Sequence, residues 1–353
     1  MEHRTSRNGS LELPVLGMGC WSFGGGGYWG KVDQSEVNKV VAAAIEFGIT
    51  YFDTAEVYNE GRSERSLGIA LEGLPREKVL IGSKIAPSNC YPGMLTSHCE
   101  DSLRRLRTDY LDLYMIHWPV HPHAMRHFTG NESLIEKPPV LNDIFDELTG
   151  LKAAGKIRHI GVSNFGKRWM KEIPQGVNVS VNQLPYNLLC RAIEYEILPY
   201  CVESGTGVIT YMSLFQGILA GLYKNLEDVP SWQSRTRHFS SAFNELSRHG
   251  EPGFESETRR AIREIKEQCE DIGFSMVEIA ISWIIANPDI TCALVGARSE
   301  GKIMQNLKAA QTVLPDDLVK KLNRITRTLK EKLGNHFDYF EGADYDRTIL
   351  GLH

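Results

Sequence analysis

The feature that most constrains this chain is an alternation running through most of its length: a short apolar segment, a polar turn, then an amphipathic helical stretch. Eight segments read as strands, at 15–20, 50–53, 79–84, 111–117, 159–161, 178–183, 207–211 and 293–296. Helical patterns fill the gaps, among them 34–47, 94–106, 142–154 and 255–272. Strands that alternate with helices pair in parallel and are covered by those helices. An open doubly wound sheet and a closed barrel both meet that description, and a count of eight favours a (β/α)8 barrel of the α/β class. No linker or low-complexity segment divides the sequence, so residues 1–353 are assigned to one barrel domain. Ahead of the first strand, 3–13 reads as a β-hairpin, with Asn8-Gly9 supplying a two-residue type I′ turn.

Two gaps exceed what a barrel needs. Residues 118–140 separate strand four from its helix, and 222–253 separate strand seven from the next one. Long loops in compact domains are lids or binding loops, and in a β/α barrel both would lie on the C-terminal face, where active sites form. The aromatic and acidic extension 334–353 reads either as a third flap or as a packed extension. A net charge of −5 without a basic stripe excludes a nucleic-acid footprint, and no lysine or arginine run suggests an acidic membrane surface. No apolar run is long enough to span a bilayer. The first ten residues lack the apolar core of a signal peptide. Seven scattered cysteines, with no C-x-x-C pair, fit a reduced cytoplasmic setting.

The ends of the early strands carry the chemistry. Strand two ends at Asp53, strand three at Lys84 and strand four at His117, and Tyr58 stands five residues beyond Asp53 in a loop closed by Gly61. In a barrel these groups converge on one mouth. A lysine ending an apolar run needs a partner, and Asp53 is the obvious one. The plain alternative is a structural ring of ion pairs. Four polar groups aimed at the catalytic face argue instead for proton chemistry.

These residues resemble the aldo-keto reductases. The segments FDTAEVYNEGRSE (52–64), IGSK (81–84), YMIHW (114–118) and GKIRHIGVSNF (155–165) look like that family's, in its order, and the resemblance runs from about residue 10 to about 330. It implies a barrel that transfers a hydride between NADP(H) and a carbonyl or alcohol without a metal, with NAD(H) as an alternative cofactor. It implies a catalytic tetrad of Asp53, Tyr58, Lys84 and His117. Tyr58 would donate the proton, Lys84 held by Asp53 would lower its pKa, and His117 would orient the carbonyl and its developing charge. Ser163, Asn164 and Gln183 match residues that bind the carboxamide, and Tyr211 the one that stacks on the nicotinamide. The segment VGARSEGKIMQN (295–306) matches the adenosine-phosphate site. Gly296 would contact the cofactor at the start of this segment, Ser299 and Lys302 would face the 2′-phosphate with Arg298 beside it, and Gln305 and Asn306 would reach the adenine. The sequence departs from the family at Lys302, at Gln305 and in MSLFQG (212–217).

Arg235 and Arg237 are placed to clamp the pyrophosphate as the second long loop closes. Trp21 and Trp118, directly after strands one and four, would form aromatic pocket walls, joined by Tyr28 and Trp29 from a glycine-rich loop. That loop, 25–30, formally fits G-x-G-x-x-G, with Asp53 about 20 residues on as a ribose acid would be. A doubly wound dehydrogenase leaves Tyr58, Lys84 and His117 without a role. His121, His123 and His127 suggest a metal-dependent barrel hydrolase, but they lack carboxylate or cysteine companions at ligand spacing. A cofactor-binding regulatory module of the same fold is the rival outside enzymology. The implied substrate is a small carbonyl or alcohol, such as a sugar- or polyol-derived aldehyde or ketone; oligomeric state is not legible.

Overall fold

The computed structural model describes residues 1–348; the last five positions of the extension 334–353 lie outside the described residues. Two strands form the N-terminal hairpin, β1 (His3–Thr5) and β2 (Glu12–Pro14). Eight more close into a parallel barrel: β3 (Leu16–Gly19), β4 (Tyr51–Asp53), β5 (Leu80–Ile85), β6 (Leu111–Ile116), β7 (Ile157–Ser163), β8 (Val179–Pro185), β9 (Gly207–Tyr211) and β10 (Cys292–Val295), with β10 pairing β3. The (β/α)8 expectation holds. β7 is longer than the pattern suggested, and β10 begins and ends one residue early.

The hairpin turn differs from its expectation. A two-residue type I′ turn needs a positive φ at both central positions, and of Asn8 and Gly9 only Gly9 has one, at 72°. The loop spans six residues between the paired Thr5 and Glu12. The Gly9 N–H closes a turn on Ser6 O at 2.7 Å, and Asn8 Oδ1 accepts from the Ser10 backbone at 3.1 Å. Leu11 and Leu13 of this hairpin pack with Tyr51, Leu113, Met115, Val181, Ile209, Cys292 and Leu294 inside the barrel. The N-terminal end is thereby plugged, and the opposite end is left for a site.

The helices form for ordinary reasons. Asp33 caps Gln34–Glu46 by accepting from Ser35 N at 2.8 Å. That helix buries Val37, Val40, Val41 and Ala44, the i, i+3, i+4, i+7 stripe of an amphipathic helix. Each such valine removed from water contributes roughly 1.5–3 kcal/mol. Ser275 and Glu278 form a reciprocal capping box at the start of Met276–Ile285. This helix is nearly all buried. Among the described residues, no helix is long and apolar enough to cross a membrane.

Register positions the site. Asp53 pairs with Gly82, so Lys84 lies two residues further along the neighbouring strand and on the same face. Gly82 is required here, because a Cβ would collide with the Tyr51 hydroxyl that crosses the barrel beneath Asp53. Lys84 pairs with Met115 and Ile85 with Ile116, and the His117 N–H extends that ladder to Ile85 O at 2.9 Å.

Candidate active site

Lys84 is the hub of the barrel mouth. Its side chain is fully buried, and Nζ donates to Asp53 Oδ1 at 2.5 Å, to Thr54 O at 2.8 Å and to Tyr58 Oη at 3.4 Å. The other oxygen of Asp53 accepts from Gln183 Nε2 at 2.7 Å and from Tyr51 Oη at 3.2 Å. A buried carboxylate and ammonium are tolerable only with this degree of satisfaction. Burial works against the charge of Lys84, but Asp53 and then Tyr58 outweigh it and raise its pKa. The lysine is therefore a cation at any physiological pH.

At Tyr58 the expected pull of Lys84 is present but outweighed. Loss of water around its hydroxyl raises its pKa more than Lys84 lowers it, so the net direction is upward. It is a protonated phenol at neutral pH, able to give a proton. The His117 ring meets Tyr58 edge-on at 5.6 Å between centroids and packs against Phe128 at 5.7 Å. Burial, then the charges of Lys84 and Arg347, hold His117 well below the usual imidazole range. A neutral imidazole has one N–H donor and one acceptor, and His117 Nδ1 is buried without a hydrogen-bond partner among the described residues.

Beside the tetrad, the ends of three strands interlock. Asn164, left-handed at φ 62°, donates from Nδ2 to His117 O at 3.1 Å and to Ser163 Oγ at 3.0 Å. Its Oδ1 accepts from Tyr211 Oη at 2.7 Å, and Ser163 Oγ donates to Gln183 O at 3.1 Å. The structure thus brings Ser163, Asn164, Gln183 and Tyr211 into one layer against Asp53 and His117.

The glycine-rich loop lies over the mouth. Gly24, Gly25, Gly26 and Gly30 all have positive φ, and the chain pairs back on itself between Gly26 and Gly30. A Cβ at Gly24 would lie 2.6 Å from Arg62 O. The loop presents an aromatic cluster: Trp21 lies 4.8 Å from Tyr28, 5.2 Å from Trp29 and 6.1 Å from Tyr58. Trp232, which the sequence did not single out, reaches across from the second long loop to 4.3 Å from Tyr28. Trp118 lies apart from this cluster, beneath the Arg347 guanidinium at 3.8 Å.

Of the two arginines expected to act together, only Arg235 faces this region. It lies 5.7 Å from both the Tyr28 and Phe340 rings, donates to Tyr28 Oη at 3.3 Å and leaves Nε buried without a partner. Arg237 is corrected. It is buried, with Nε on both Glu251 oxygens at 2.9 Å and Nη1 on Leu333 O and His336 O. Those bonds anchor the extension after 334 and take Arg237 away from any pyrophosphate.

At the end of β10, Gly296 is exposed and its carbonyl accepts from Asn306 Nδ2 at 3.4 Å. Ser299 precedes the twelve-residue helix Glu300–Gln311 without a side-chain cap, so the first backbone N–H groups keep their capacity for an anion. Arg298 and Lys302 are exposed beside them; among the described residues, Lys302 Nζ reaches only its neighbour Gln305, at 3.1 Å, and Arg298 only Trp29 O, at 3.5 Å. An uncapped helix start with two cations, and an orphaned arginine donor nearer the mouth, fit the phosphates of a dinucleotide.

The three lid histidines go to the C-terminal extension. His121 Nε2 donates to Arg347 O at 2.9 Å, the His123 ring meets Tyr345 at 5.3 Å, and His127 lies 3.3 Å from Glu341. Among the described residues, no three metal-ligating side chains are grouped to hold an ion. The extension is a strap packed against the loops of the C-terminal face. Its Glu341 accepts from Arg248 of the second long loop at 2.6 Å, while Thr348 O accepts from Gly166 N at 3.0 Å.

Comparison with known proteins gives a consistent answer. The model of the aldo/keto reductase family matches residues 15–327. The NADH-specific methylglyoxal reductase of Escherichia coli is 30% identical, over 87% of this chain and 92% of its own. An aldo-keto reductase from Klebsiella pneumoniae solved with NADPH superposes with a TM-score of 0.68 at 26% identity, covering 98% of this chain and 99% of that one. A glycerol dehydrogenase from Gluconobacter oxydans superposes with a TM-score of 0.74 at 27% identity, over 92% and 95% of the two chains.

Proposed function

The chain belongs to the aldo-keto reductase family and is an NADP(H)-linked oxidoreductase of carbonyl compounds, and from that premise we propose that Tyr58, Lys84, Asp53 and His117 carry the reaction. The observation that bears most weight is the single ammonium shared between Asp53 and Tyr58. When bound, the nicotinamide supplies the hydride. Tyr58 gives its phenolic proton to the carbonyl oxygen as charge develops there. Lys84 stabilises the phenolate left behind, and Asp53 holds the lysine in place. Neutral His117 offers an N–H to the same oxygen without competing for the proton.

Ser163, Asn164, Gln183 and Tyr211 would hold the nicotinamide end, and Arg235 the pyrophosphate. Gly296, Arg298, Ser299 and Lys302 would hold the 2′-phosphate, with Gln305 and Asn306 at the adenine. The uncapped helix start and the orphaned Arg235 Nε support this placement. We favour NADP(H) over NAD(H) because two exposed cations stand where a 2′-phosphate would lie, although Glu300 is among them. Trp21, Tyr28, Trp29 and Trp118 line the approach and suit a small oxygen-rich carbonyl, in the class of sugar- or polyol-derived aldehydes and ketones. Relatives named for methylglyoxal and glycerol point the same way. All seven cysteines are free and buried, which supports a cytoplasmic setting.

NADPH oxidation followed across methylglyoxal, glyceraldehyde, simple aldehydes and aldoses tests this reading. Saturable multiple turnover is expected on at least one of them, unchanged by prolonged chelation. Tight NADPH binding with no turnover on any carbonyl would favour a regulatory module, and a chelator loss restored by zinc would favour a metal-dependent enzyme.

A further inference from the structure

The strap brings to the mouth a charge that the tetrad does not use. Arg347 is buried, and its guanidinium lies flat over Trp118, the residue directly after His117. Asp338 takes one edge of the guanidinium, with Nε to Oδ2 at 2.7 Å and Nη2 to Oδ1 at 2.8 Å. The backbone is fixed on both sides, by His121 on Arg347 O and by Gly166 on Thr348 O. Nη1, with two N–H donors, has no hydrogen-bond partner among the described residues. The charge of Arg347 acts on both His117 and Tyr211, the side chains that flank the reacting centre. Nη1 is thus a charged donor still available to a ligand or water.

We propose that Arg347, locked by Asp338 over Trp118, is a specificity-determining residue whose Nη1 donates a hydrogen bond to a neutral oxygen of the substrate. That oxygen is a hydroxyl or second carbonyl on the chain beyond the reacting carbonyl. The proposal rests on the reductase reading above and adds to it the residue that selects the substrate. The charges around Arg347 decide between a neutral oxygen and a carboxylate. Asp338 already neutralises the guanidinium, and Glu341 lies 3.9 Å from its Nε. Glu341 in turn draws on Arg248 and His127. A substrate carboxylate would be a third anion around one cation. A hydroxyl adds no charge to that balance.

The test compares matched aldehydes with and without the extra oxygen. Glyceraldehyde is set against propanal, and succinic semialdehyde against butanal, in wild type, Arg347→Met and Arg347→Gln. Arg347→Met keeps a stem over Trp118 without a donor; Arg347→Gln keeps one amide donor and also serves if the methionine variant fails to fold. NADPH affinity is measured alongside by fluorescence. Relative to its effect on propanal, Arg347→Met should lower kcat/KM for glyceraldehyde by a further factor of about ten or more, the scale of a lost charge-assisted hydrogen bond. Arg347→Gln should recover part of it, and the ratio for the semialdehyde pair should move less. An equal factor on glyceraldehyde and propanal would overturn the proposal and leave Arg347 as a strap anchor. A loss greatest on succinic semialdehyde would overturn it in favour of anion recognition. A wild type that turns over none of the four would overturn the reductase reading and this proposal with it.

Discussion

Two buried ion pairs face the reaction centre, and they are held in different ways. Lys84 and Asp53 come from adjacent strands, where the register of β4 on β5 leaves little freedom. Arg347 and Asp338 come from one strap, which is held by side chains of the lid and the second long loop and by the backbone N–H of Gly166 beyond β7. The first pair keeps its geometry for as long as the barrel exists. The second depends on several loops agreeing. On the proposed reading, chemical power and substrate choice sit on separable parts: strand ends carry the lysine and acid that serve Tyr58, and the strap and lid shape what reaches it.

The largest effect should come from the strand-end pair. Lys84→Met removes the cation that opposes the burial of Tyr58, so carbonyl reduction should fall by about 10²–10⁴-fold, the usual range for a disabled general acid. Lys84 lowers the tyrosine pKa, so without it the alkaline limit of any residual activity should move upward. A rate profile unmoved on both counts would remove Lys84 from the chemistry. Cofactor affinity is measured separately, because the same lysine shapes the floor of the mouth.

Asp338→Asn breaks the other pair. It leaves a buried guanidinium short of its partner and should cost about 3–5 kcal/mol, read by denaturant unfolding. Propanal reduction per folded molecule should fall much less than in Lys84→Met. Equal collapse of both variants on propanal would erase the distinction between the two regions.

Acid should also strike the strap side. Burial holds His121 at about 4, against 6.5 for the free group. The unfolded chain therefore binds more protons between those values, and stability should fall as pH drops from 6.5 towards 4, by up to about 3 kcal/mol for this residue alone. His121→Gln should flatten that part of the stability profile. An unchanged slope would mean that His121 titrates freely. The smallest effect concerns the cofactor: Lys302→Ala should weaken NADPH by about 1 kcal/mol, as expected for an exposed cation at a helix start, and leave NADH nearly unchanged. Equal weakening of both would move the 2′-phosphate elsewhere.

The same contrast explains what could be read from the sequence. Strand ends are local features: an apolar run that stops at Asp53, Lys84 or His117 states its own place in a barrel, and adjacency in the chain makes them neighbours in space. The longest helix, Glu255–Ile272, was legible for a similar reason, because its apolar period is its own. Partners brought together by folding alone left no such mark. His121 and Arg347 are 226 residues apart, and nothing periodic connects them. Trp232 lay in a stretch without strand or helix pattern. Arg237 looked like the twin of Arg235, and only the carbonyls of Leu333 and His336 reveal its other task. The pull of Lys84 on Tyr58 is legible because a neighbouring cation is visible in a sequence; the larger, opposing loss of water is not.

The most direct test of the account is Tyr58→Phe, which removes one oxygen and leaves the ring to pack with Trp21 and His117. NADPH binding and a single-turnover rate are measured on the same preparation with a good aldehyde substrate. NADPH affinity close to wild type with reduction slowed by at least about 10² is the predicted result. Normal NADPH binding with reduction near the wild-type rate would contradict the assignment of Tyr58 as the proton donor, and with it the reading of the mouth as a tetrad.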